Sequence, residues 1–329
     1  MQVKLYTVDE VSDFISHGKT LSLAGDESLL AKLPKGNWIG GTIPYFMGLN
    51  TSLFTKELIY VNDFSEFQHN FTIKSYSKSD INNIIDDAYN NGYTIVIFPP
   101  FTEVHIQYAT QIPKNENLFN NPIIGWVAGI DLNSNNIART YNGLRNQVYI
   151  DTAVAIHVEL PQNKLSRLDI VNIFDQSEEN IEIQFLKDGF NCETCLINGE
   201  EINFAQYIYE NNIDTKLPII SDYSGALINV SFRSLTTKTV DFYAPVFKDK
   251  IYKFAKPISD YVSRLNSQII KNIIEPEFSC NCILNYLYGE MEGKKIENVS
   301  GPITFGEIGY QLLNQTMVSL HIVEDIESS

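Results

Sequence analysis

The sequence predicts an α/β or α+β protein in which helices flank mixed β-sheets and two halves pack closely together. Residues 79–98 support this class, because a helical pattern, a stop at Gly92 and a nearly continuous apolar strand follow one another. Composition supports a large core. Of the 329 residues, 44% are apolar and 19% are charged, which is typical of a folded globular chain.

The N-terminal elements carry local start and stop signals. Thr7-Val8-Asp9-Glu10 has the pattern of a capping box, so a short helix is expected from there to Gly18. Asp26 is expected to cap a second helix that runs as far as Leu33. The apolar run at residues 38–45 predicts a strand that ends in a glycine turn.

The remaining elements are predicted from apolar runs that glycine or proline interrupts. In the first half they are a helix at 79–89, a strand at 93–98, a short helix near 104–110, and strands at 122–129 and 154–160. In the second half they are strands at 181–185, 227–232, 240–243 and 317–323, a helix around 202–209, a helix that Ser259 caps, and an apolar segment at 278–288.

Polar residues dominate 161–175, and a domain boundary is expected there. The boundary separates an N-terminal half at 1–165 from a C-terminal half at 166–329. No long linker joins the two halves, so we expect them to pack tightly against each other.

The formal net charge of −16 restricts the classes of partner. Nucleic-acid binding depends on Lys and Arg side chains that neutralise phosphates, so no nucleic-acid partner is expected. An anionic membrane surface is disfavoured for the same reason. The N-terminus lacks the pattern of a signal peptide, and no apolar stretch approaches the roughly 18 residues of a membrane span. These features predict a soluble, acidic, cytoplasmic protein.

Three short motifs follow one another near the C-terminus. Phe278-Ser279-Cys280 opens an apolar run, Gly306-Glu307 lies in a glycine-rich turn, and Asn314-x-Thr316 leads into the last strand. This ordering resembles the C-terminal half of FIST domains, which are bacterial-type sensory modules of signal transduction. Gly40-Gly41-Thr42 and the strand at 122–129 are similar to patterns of the N-terminal half of that family.

The chain also departs from the FIST pattern. Asn281-Cys282 stands where the family usually has a small residue and an Arg. No output domain is attached, so the resemblance implies a stand-alone member with a modified ligand preference and a signalling protein as its partner.

The resemblance implies a sensory protein that binds a small polar metabolite, such as an amino acid, without turnover. The residues expected to line its pocket are Gly40, Gly41, Thr42, Cys280, Gly306, Glu307 and Asn314. The glycines would let backbone N–H groups approach the ligand, and the polar side chains would orient it. A carboxylate at position 307 suits an ammonium or hydroxyl group, although a solvated surface glutamate fits the sequence equally well.

All four cysteines fall in two close pairs, Cys192-x-x-Cys195 and Cys280-x-Cys282. A four-cysteine zinc site, a redox pair at 192 and 195, and ordinary buried thiols remain as alternatives. The zinc site requires four sulfurs about 2.3 Å from one ion. In a strand, positions 280 and 282 share a face but lie roughly 6.5–7 Å apart. Apart from zinc, no cofactor is expected.

Two further function classes compete with the sensor. An enzyme would use the cysteines, or Glu103 and His105 as an acid–base pair. The sequence contains no H-E-x-x-H motif, G-x-S-x-G elbow or phosphate-binding loop, which disfavours a dedicated hydrolase or nucleotide enzyme. The third class is a scaffold that binds only a protein partner, which a flat, exposed apolar patch would indicate.

Overall fold

Strands dominate this fold. In the computed structural model 42% of the residues lie in strands and 16% in helices, so the predicted mixture of sheets and helices is confirmed in this coarse form. The structure describes residues 4–48, 51–66, 68–223, 225–269, 275–296 and 298–325. Within these ranges no helix exceeds nine residues, and none is long and apolar enough to cross a bilayer.

The first helix begins where the capping box predicts it. The Thr7 hydroxyl accepts a hydrogen bond from Glu10 N, and the Glu10 carboxylate accepts one from Thr7 N. The helices are α1 (Val8–Ser16), α2 (Glu27–Leu30), α3 (Glu103–Gln111), α4 (Phe204–Glu210), α5 (Tyr261–Ile269) and α6 (Ile283–Tyr288), with 3₁₀ turns at Ile81–Ile84 and Ile112–Lys114.

The helix predicted at 79–89 is wrong. Only Ile81–Ile84 is helical there, and it is a 3₁₀ turn. The Asp80 carboxylate accepts hydrogen bonds from Ser77 N at 2.6 Å and from Ser77 Oγ at 2.7 Å, and such side-chain bonds compete with a continuous helix. A 3₁₀ turn already places Ile81 and Ile84 on one face, and both side chains are fully buried.

The first part of the chain contributes thirteen strands. They are β1 (Leu5–Tyr6), β2 (Leu21–Gly25), β3 (Trp38–Thr42), β4 (Tyr45–Met47), β5 (Ser52–Phe54), β6 (Ile59–Asp63), β7 (Asn70–Tyr76), β8 (Gly92–Phe98), β9 (Ile123–Val127), β10 (Thr140–Asn142), β11 (Gln147–Tyr149), β12 (Ala153–Glu159) and β13 (Lys164–Asn172).

Fourteen strands follow in the described part of the remaining chain. They are β14 (Ile183–Phe185), β15 (Gly189–Cys192), β16 (Thr194–Ile197), β17 (Glu200–Asn203), β18 (Ile219–Tyr223), β19 (Ala226–Val230), β20 (Phe232–Leu235), β21 (Val240–Val246), β22 (Ile251–Phe254), β23 (Phe278–Cys282), β24 (Gly301–Thr304), β25 (Glu307–Gly309), β26 (Gln311–Leu313) and β27 (Thr316–Glu324).

The described strands form five sheets, which we number I to V. Sheet I has the order β1-β6-β2-β3-β10-β11, sheet II β26-β25-β9-β8-β12-β7, and sheet III β13-β27-β23-β24-β4-β5. Sheet IV has the order β17-β16-β14-β22-β18-β19, and sheet V has β15-β21-β20. Most neighbouring strands are antiparallel, but the pairs β2/β3, β8/β9 and β23/β24 are parallel.

Sheet II is central because both of its faces are buried. Its strand β8 is buried along its whole length, as expected for an apolar run covered on both sides. One face, which includes Ile97 and Trp126, packs in the same core as Ile39 of sheet I and Val318 of sheet III. The other face, which includes Phe98, packs in a second core with α3 and with strands of sheets IV and V.

A third, smaller core covers the outer side of sheet I. Val11 and Ile15 of α1 pack there with Leu30 of α2 and Trp38 of β3. The apolar positions of α1 lie four residues apart, so they share one helix face.

The two predicted halves share sheets. Sheet II joins β25 and β26 to strands of the first half, and sheet III joins β4 and β5 to strands of the second half. The expected boundary between residues 165 and 166 falls inside β13, which pairs with β27 along its whole length. The sheets, rather than the halves, are therefore the units by which this fold is described.

Candidate functional site

A buried carboxyl lies where sheets II and III meet. Glu307 begins β25 and is 0% exposed. Its Oε2 atom accepts hydrogen bonds from Thr316 Oγ1 at 2.9 Å and from Thr316 N at 3.3 Å. Its Oε1 atom is buried and has no hydrogen-bond partner of normal geometry in the described structure. Such atoms are rare in folded proteins because an unsatisfied buried polar group costs about 1–3 kcal/mol.

Strand pairing places this side chain inside the protein. Glu307 lies directly opposite Trp126 in the β25/β9 pair, and Trp126 lies opposite Ile97 in the β8/β9 pair. Residues directly opposite each other in a sheet share a face. Glu307 therefore lies on the face of sheet II that carries Ile97 and Trp126, the apolar face that packs towards sheets I and III.

Burial changes the protonation of Glu307. The loss of solvation raises its pKa to about 8, while hydrogen bonds from Thr316 and the Cys282 thiol act in the opposite direction. The carboxyl is therefore mainly protonated at neutral pH. A protonated carboxyl donates one hydrogen bond, and an ionised one accepts bonds from a cation.

Two thiols lie against the same carboxyl. Cys280 and Cys282 occupy alternate positions of β23 and therefore share a face of that strand. Cys280 Sγ donates to Gly125 O at 3.3 Å. Burial first, and the Glu307 carboxylate second, raise the pKa of both thiols well above the usual value. We call Cys280, Cys282, Glu307 and Thr316 the Glu307 cluster.

The protonation of this cluster limits its chemistry. A nucleophilic cysteine acts as the thiolate, which needs a nearby positive charge or another feature that lowers its pKa. Here the neighbour of Cys282 is a carboxyl, which raises the pKa of the thiol. The arrangement is therefore a neutral, hydrogen-bonding cluster rather than an activated nucleophile.

Half-buried aromatic rings lie close to the cluster. Burial raises the pKa of Tyr243, Tyr261 and Tyr288, and the electrostatic effect of Cys282 adds to each rise. All three residues are partly exposed. Aromatic faces in general attract cations.

Asn281 faces away from the Glu307 cluster, because it lies between two residues whose side chains share the opposite face of β23. Its Oδ1 atom accepts from Cys282 N and from Asn285 Nδ2, both at 2.8 Å. The Asn285 amide also donates to Thr316 O at 3.3 Å. These bonds fix the end of β23 and the first turn of α6. The sequence reasoning noted Asn281 only as a departure from the FIST pattern and did not single out Asn285.

Asn314 has a structural role in this arrangement. Its Oδ1 atom accepts from Ser231 N at 3.4 Å, and its Nδ2 atom donates to Leu313 O at 2.9 Å. The next residue, Gln315, has a φ of 50° and accepts a hydrogen bond from Ser231 Oγ at 2.7 Å. The polar atoms of the predicted ligand residue Asn314 therefore connect the β26–β27 turn to the segment between β19 and β20.

Gly40, Gly41 and Thr42 lie within the strand β3 and not in the glycine turn that the sequence predicted. Gly41 approaches the cluster through the Trp126 ring. A Cβ atom on Gly41 would lie 2.6 Å from the Trp126 ring and 2.7 Å from Ile97, so this glycine permits close packing of sheets I and II. Gly40 faces Trp38 instead. Thr42 Oγ1 accepts from Arg139 N at 2.9 Å, and Thr42 lines a surface depression of about 10 Å³.

The structure therefore brings together some of the predicted pocket residues. Cys280, Gly306 and Glu307 belong to one neighbourhood, and Gly41 approaches it through the Trp126 ring. Gly40, Thr42 and Asn314 make their contacts elsewhere. Whether any of these residues binds a ligand stays a prediction.

The two cysteine pairs lie in different cores. Cys280 and Cys282 belong to the core between sheets II and III, whereas Cys192 and Cys195 belong to the core that covers the other face of sheet II. Among the described residues, no three His, Cys, Asp or Glu side chains form a group that could hold a metal ion. The four-cysteine zinc site finds no support in this arrangement and stays a prediction.

Glu103 and His105 do not meet as an acid–base pair. Glu103 lies at the start of α3 and forms an ion pair with Lys78 at 3.0 Å. His105 is buried, its Nδ1 accepts from Phe101 N at 3.1 Å, and burial lowers its pKa to about 4. Its Nε2 atom is buried without a hydrogen-bond partner in the described structure, and Phe98, Phe101 and Phe190 surround the ring.

A family model covers almost the whole chain. It is described as a family of unknown function, DUF6976, and it matches residues 6–323. The chain belongs to the DUF6976 family. No curated protein matches the chain.

The DUF6976 match contains every residue of the Glu307 cluster and both cysteine pairs. Sequence reasoning found Glu307 through the Gly-Glu pair, and it considered Cys282 as a metal ligand, as an enzyme's cysteine or as an ordinary buried thiol. It missed the contact between the two side chains in this DUF6976 protein. A buried carboxyl and a buried thiol 25 residues apart leave no local pattern, because the pairing of β23, β25 and β27 creates their contact.

Proposed function

We propose that this protein binds a small polar ligand at Glu307 and acts as a non-enzymatic sensor of the FIST-like type. The observation that carries this proposal is the Glu307 Oε1 atom, which is fully buried and has no hydrogen-bond partner of normal geometry in the described structure. A buried carboxyl of this kind gains most from a ligand that supplies the missing hydrogen bond.

The proposed ligand carries a primary ammonium group, as an amino acid does. An ammonium group supplies several donors and a positive charge, which would favour the ionised form of Glu307. The rings of Tyr243, Tyr261 and Tyr288 would face the same cation, since aromatic faces attract it. Because Glu307 is closed off from solvent, ligand entry requires a local opening of the shell around it.

Sensing is favoured over catalysis by the protonation of the cluster. Burial and the Glu307 carboxylate keep Cys282 as a thiol, and His105 is a buried neutral side chain on α3. Neither supplies a base next to a nucleophile. We further propose a cytoplasmic location and a signalling protein as the partner. A reducing compartment suits the four cysteines, all of which are free.

The test uses the common amino acids as probes in a thermal-shift screen. A ligand that binds only the folded state raises the melting temperature with concentration. We expect at least one amino acid to do so, and we expect Glu307→Gln to weaken its binding by about 1–3 kcal/mol. Glu103→Gln is the matched control, because it makes the same change at an exposed position, and it should bind normally.

The pH dependence gives a second arm of this test. Only the ionised form of Glu307 binds an ammonium group well, so the apparent affinity should rise by about 50-fold from pH 6 to pH 8 for a pKa of about 8. Mass analysis after incubation should recover the amino acid unchanged.

Three results would contradict the proposal. Conversion of the amino acid that depends on Cys282 would indicate an enzyme. Equal loss of binding in Glu103→Gln and Glu307→Gln would place the ligand elsewhere. No response to any amino acid, together with a stable complex with another protein, would indicate a scaffold.

A further inference from the structure

Cys192 and Cys195 lie at the corner where the chain passes from sheet V to sheet IV. Cys192 is the last residue of β15 and lies opposite Val240 in sheet V. Cys195 belongs to β16 and lies opposite Phe185 and Ile202 in sheet IV. Only two residues separate the cysteines, so the backbone must turn sharply between the two sheets.

This corner directs both thiols into one apolar core, in which they are 3% and 0% exposed. Cys192 Sγ donates to Thr194 O at 3.3 Å. The interaction between the two thiols lowers the pKa of Cys192 and raises that of Cys195. Because only two residues separate the two thiols and both point into one core, we infer that their sulfurs are neighbours. The lower pKa makes the Cys192 sulfur the better nucleophile of the two.

The pair lies close to the surface although the thiols are covered. Asn191 and Glu193, the chain neighbours of Cys192, are both exposed. The Lys187 ammonium also lowers the pKa of Cys192. The corner therefore lies at the surface, and a small neutral oxidant would reach the two thiols through a local opening of the side chains that cover them.

Cys280 and Cys282 form a natural comparison within the same chain. They share a face of the strand β23, so their Cα atoms are roughly 6.5–7 Å apart, at the limit for a disulfide. Each thiol also has a different neighbour, Gly125 O for Cys280 and the Glu307 carboxyl for Cys282. The second pair is thus poorly arranged for the chemistry that the first pair permits.

We propose that Cys192 and Cys195 form a reversible disulfide when the protein meets a peroxide. The Cys192 thiolate attacks one peroxide oxygen, the O–O bond breaks, and the departing hydroxide takes a proton to give water. The Cys195 thiol then loses its proton and its sulfur attacks the Cys192 sulfenic acid. The S–O bond breaks, a second water leaves, and the S–S bond forms.

Atoms and electrons balance in this reaction. Two thiols lose two electrons and two protons, and hydrogen peroxide is reduced to two water molecules. A small dithiol restores both cysteines by exchange. The pair lies in a different core from Glu307, so this proposal does not rest on ligand binding at Glu307.

The test is carried out on the full, reduced chain with hydrogen peroxide at increasing doses. After removal of the peroxide, free thiols are alkylated under denaturing conditions and the peptides are mapped by mass spectrometry. We expect the intact mass to fall by about 2 Da, and we expect Cys192 and Cys195 to be protected from alkylation together. Dithiothreitol should restore both free thiols. Cys280 and Cys282 should oxidise at least about tenfold more slowly than the first pair.

Variants identify the order of events. In Cys195→Ser, Cys192 should give a sulfenic acid that dimedone captures, and no intramolecular disulfide should form. Cys280→Ser is the matched control and should keep the 2 Da loss. Oxidation of Cys280 or Cys282 before the first pair would overturn the proposal. Alkylation of Cys192 and Cys195 at every dose would also overturn the proposal. This measurement uses the natural sequence, so it does not depend on whether a variant folds.

Discussion

Glu307 is the residue whose environment differs most from the reading that its sequence alone would favour. A glutamate between Gly306 and Ile308 is usually solvated, whereas here it is fully buried and holds its proton at neutral pH. The contacts that stabilise it are few. Thr316 satisfies one carboxyl oxygen with two hydrogen bonds, and the Cys282 thiol lies beside the group.

The raised pKa of Glu307 predicts a specific pH dependence of stability. The folded state keeps the proton up to about pH 8, while the unfolded state loses it near pH 4.5. Between these values the unfolded state binds fewer protons, so the free energy of unfolding falls as pH rises. The total effect is about 5 kcal/mol, and about 2 kcal/mol of it falls between pH 6 and pH 8.

Glu307→Gln removes this term. When the pH is raised from 6 to 8, we expect the free energy of unfolding of the variant to rise by about 2 kcal/mol relative to that of the natural protein. Urea denaturation of both proteins at the two pH values measures it, and all other titrating groups cancel in the comparison. Glu103→Gln, at an exposed position, should show no such gain. An equal pH dependence in Glu307→Gln and the natural protein would mean that Glu307 is ionised in the folded state.

At the scale of single elements, the sequence was most reliable where the determining contacts are local. The capping box at Thr7 and Glu10 defines the start of α1, and the apolar run at 93–98 is the fully buried strand β8. The helix around 202–209 is confirmed as α4, with Asn203 as the N-cap that the sequence reasoning did not identify. For α5, the Asp260 carboxylate rather than Ser259 accepts from Ser263 N at 3.0 Å.

The strand β13 is the largest element that the sequence reasoning missed. Its polar residues suggested a domain boundary, but nine residues pair with β27 as an edge strand of sheet III. Edge strands remain partly solvated, so they tolerate charged residues such as Arg167 and Asp169. The strand β13 forms its hydrogen bonds with β27, about 150 residues further along the chain. The local sequence of β13 therefore cannot indicate that it pairs there.

Close packing between sheets I and II predicts a clear effect at Gly41. A methyl group there would lie 2.6 Å from the Trp126 ring and 2.7 Å from Ile97. We expect Gly41→Ala to lower the free energy of unfolding by about 1–3 kcal/mol, as overpacked cores do. Urea denaturation, followed by tryptophan fluorescence, measures the change.

Gly40→Ala is the control on the same strand. Its added Cβ would lie 3.2 Å from the Trp38 ring and 3.3 Å from Leu23 O. These contacts are less severe than those at Gly41, so a smaller loss is expected. Equal losses in the two variants would mean that the effect arises from strand β3 itself. In that case the contact between sheets I and II would not be responsible.

At the scale of the whole molecule, the buried side chains of His105, His157 and Glu307 change the pH dependence of stability in opposite directions. His105 and His157 are neutral in the folded state, because burial lowers the pKa of each to about 4. His157 also lies within hydrogen-bond distance of Tyr76 Oη at 2.7 Å and Thr94 Oγ1 at 2.8 Å. Glu307, in contrast, is protonated until about pH 8.

These groups predict a stability maximum near pH 6.5. As pH falls from 6.5 to 4, the unfolded state protonates its histidines and the folded state does not, so each histidine lowers the free energy of unfolding by about 3 kcal/mol. Glu307 offsets only part of this loss, since its own contribution grows as pH falls from about 8 to 4.5. Above pH 6.5, the loss from Glu307 dominates.

Chemical denaturation at pH 5, 6.5 and 8 measures this profile. The free energy of unfolding should be highest at pH 6.5. In Glu307→Gln the free energy of unfolding should fall less between pH 6.5 and pH 8. It should fall more between pH 6.5 and pH 5, because the contribution of Glu307 no longer offsets that of the histidines. A profile that rises continuously from pH 5 to pH 8 in the natural protein would contradict the assignment of Glu307.

The sequence by itself determined the coarse class, the capped N-terminal helix and the buried central strand, because hydrogen bonds and periodicity within about ten residues decide those features. Only the tertiary structure decided that Glu307 meets Cys282 and Thr316, that Asn314 holds a turn, and that the two cysteine pairs lie in separate cores. Each of these depends on which distant strands pair and on which face of the sheet a residue falls. A shift of one residue in register would turn the Glu307 carboxyl towards the opposite core.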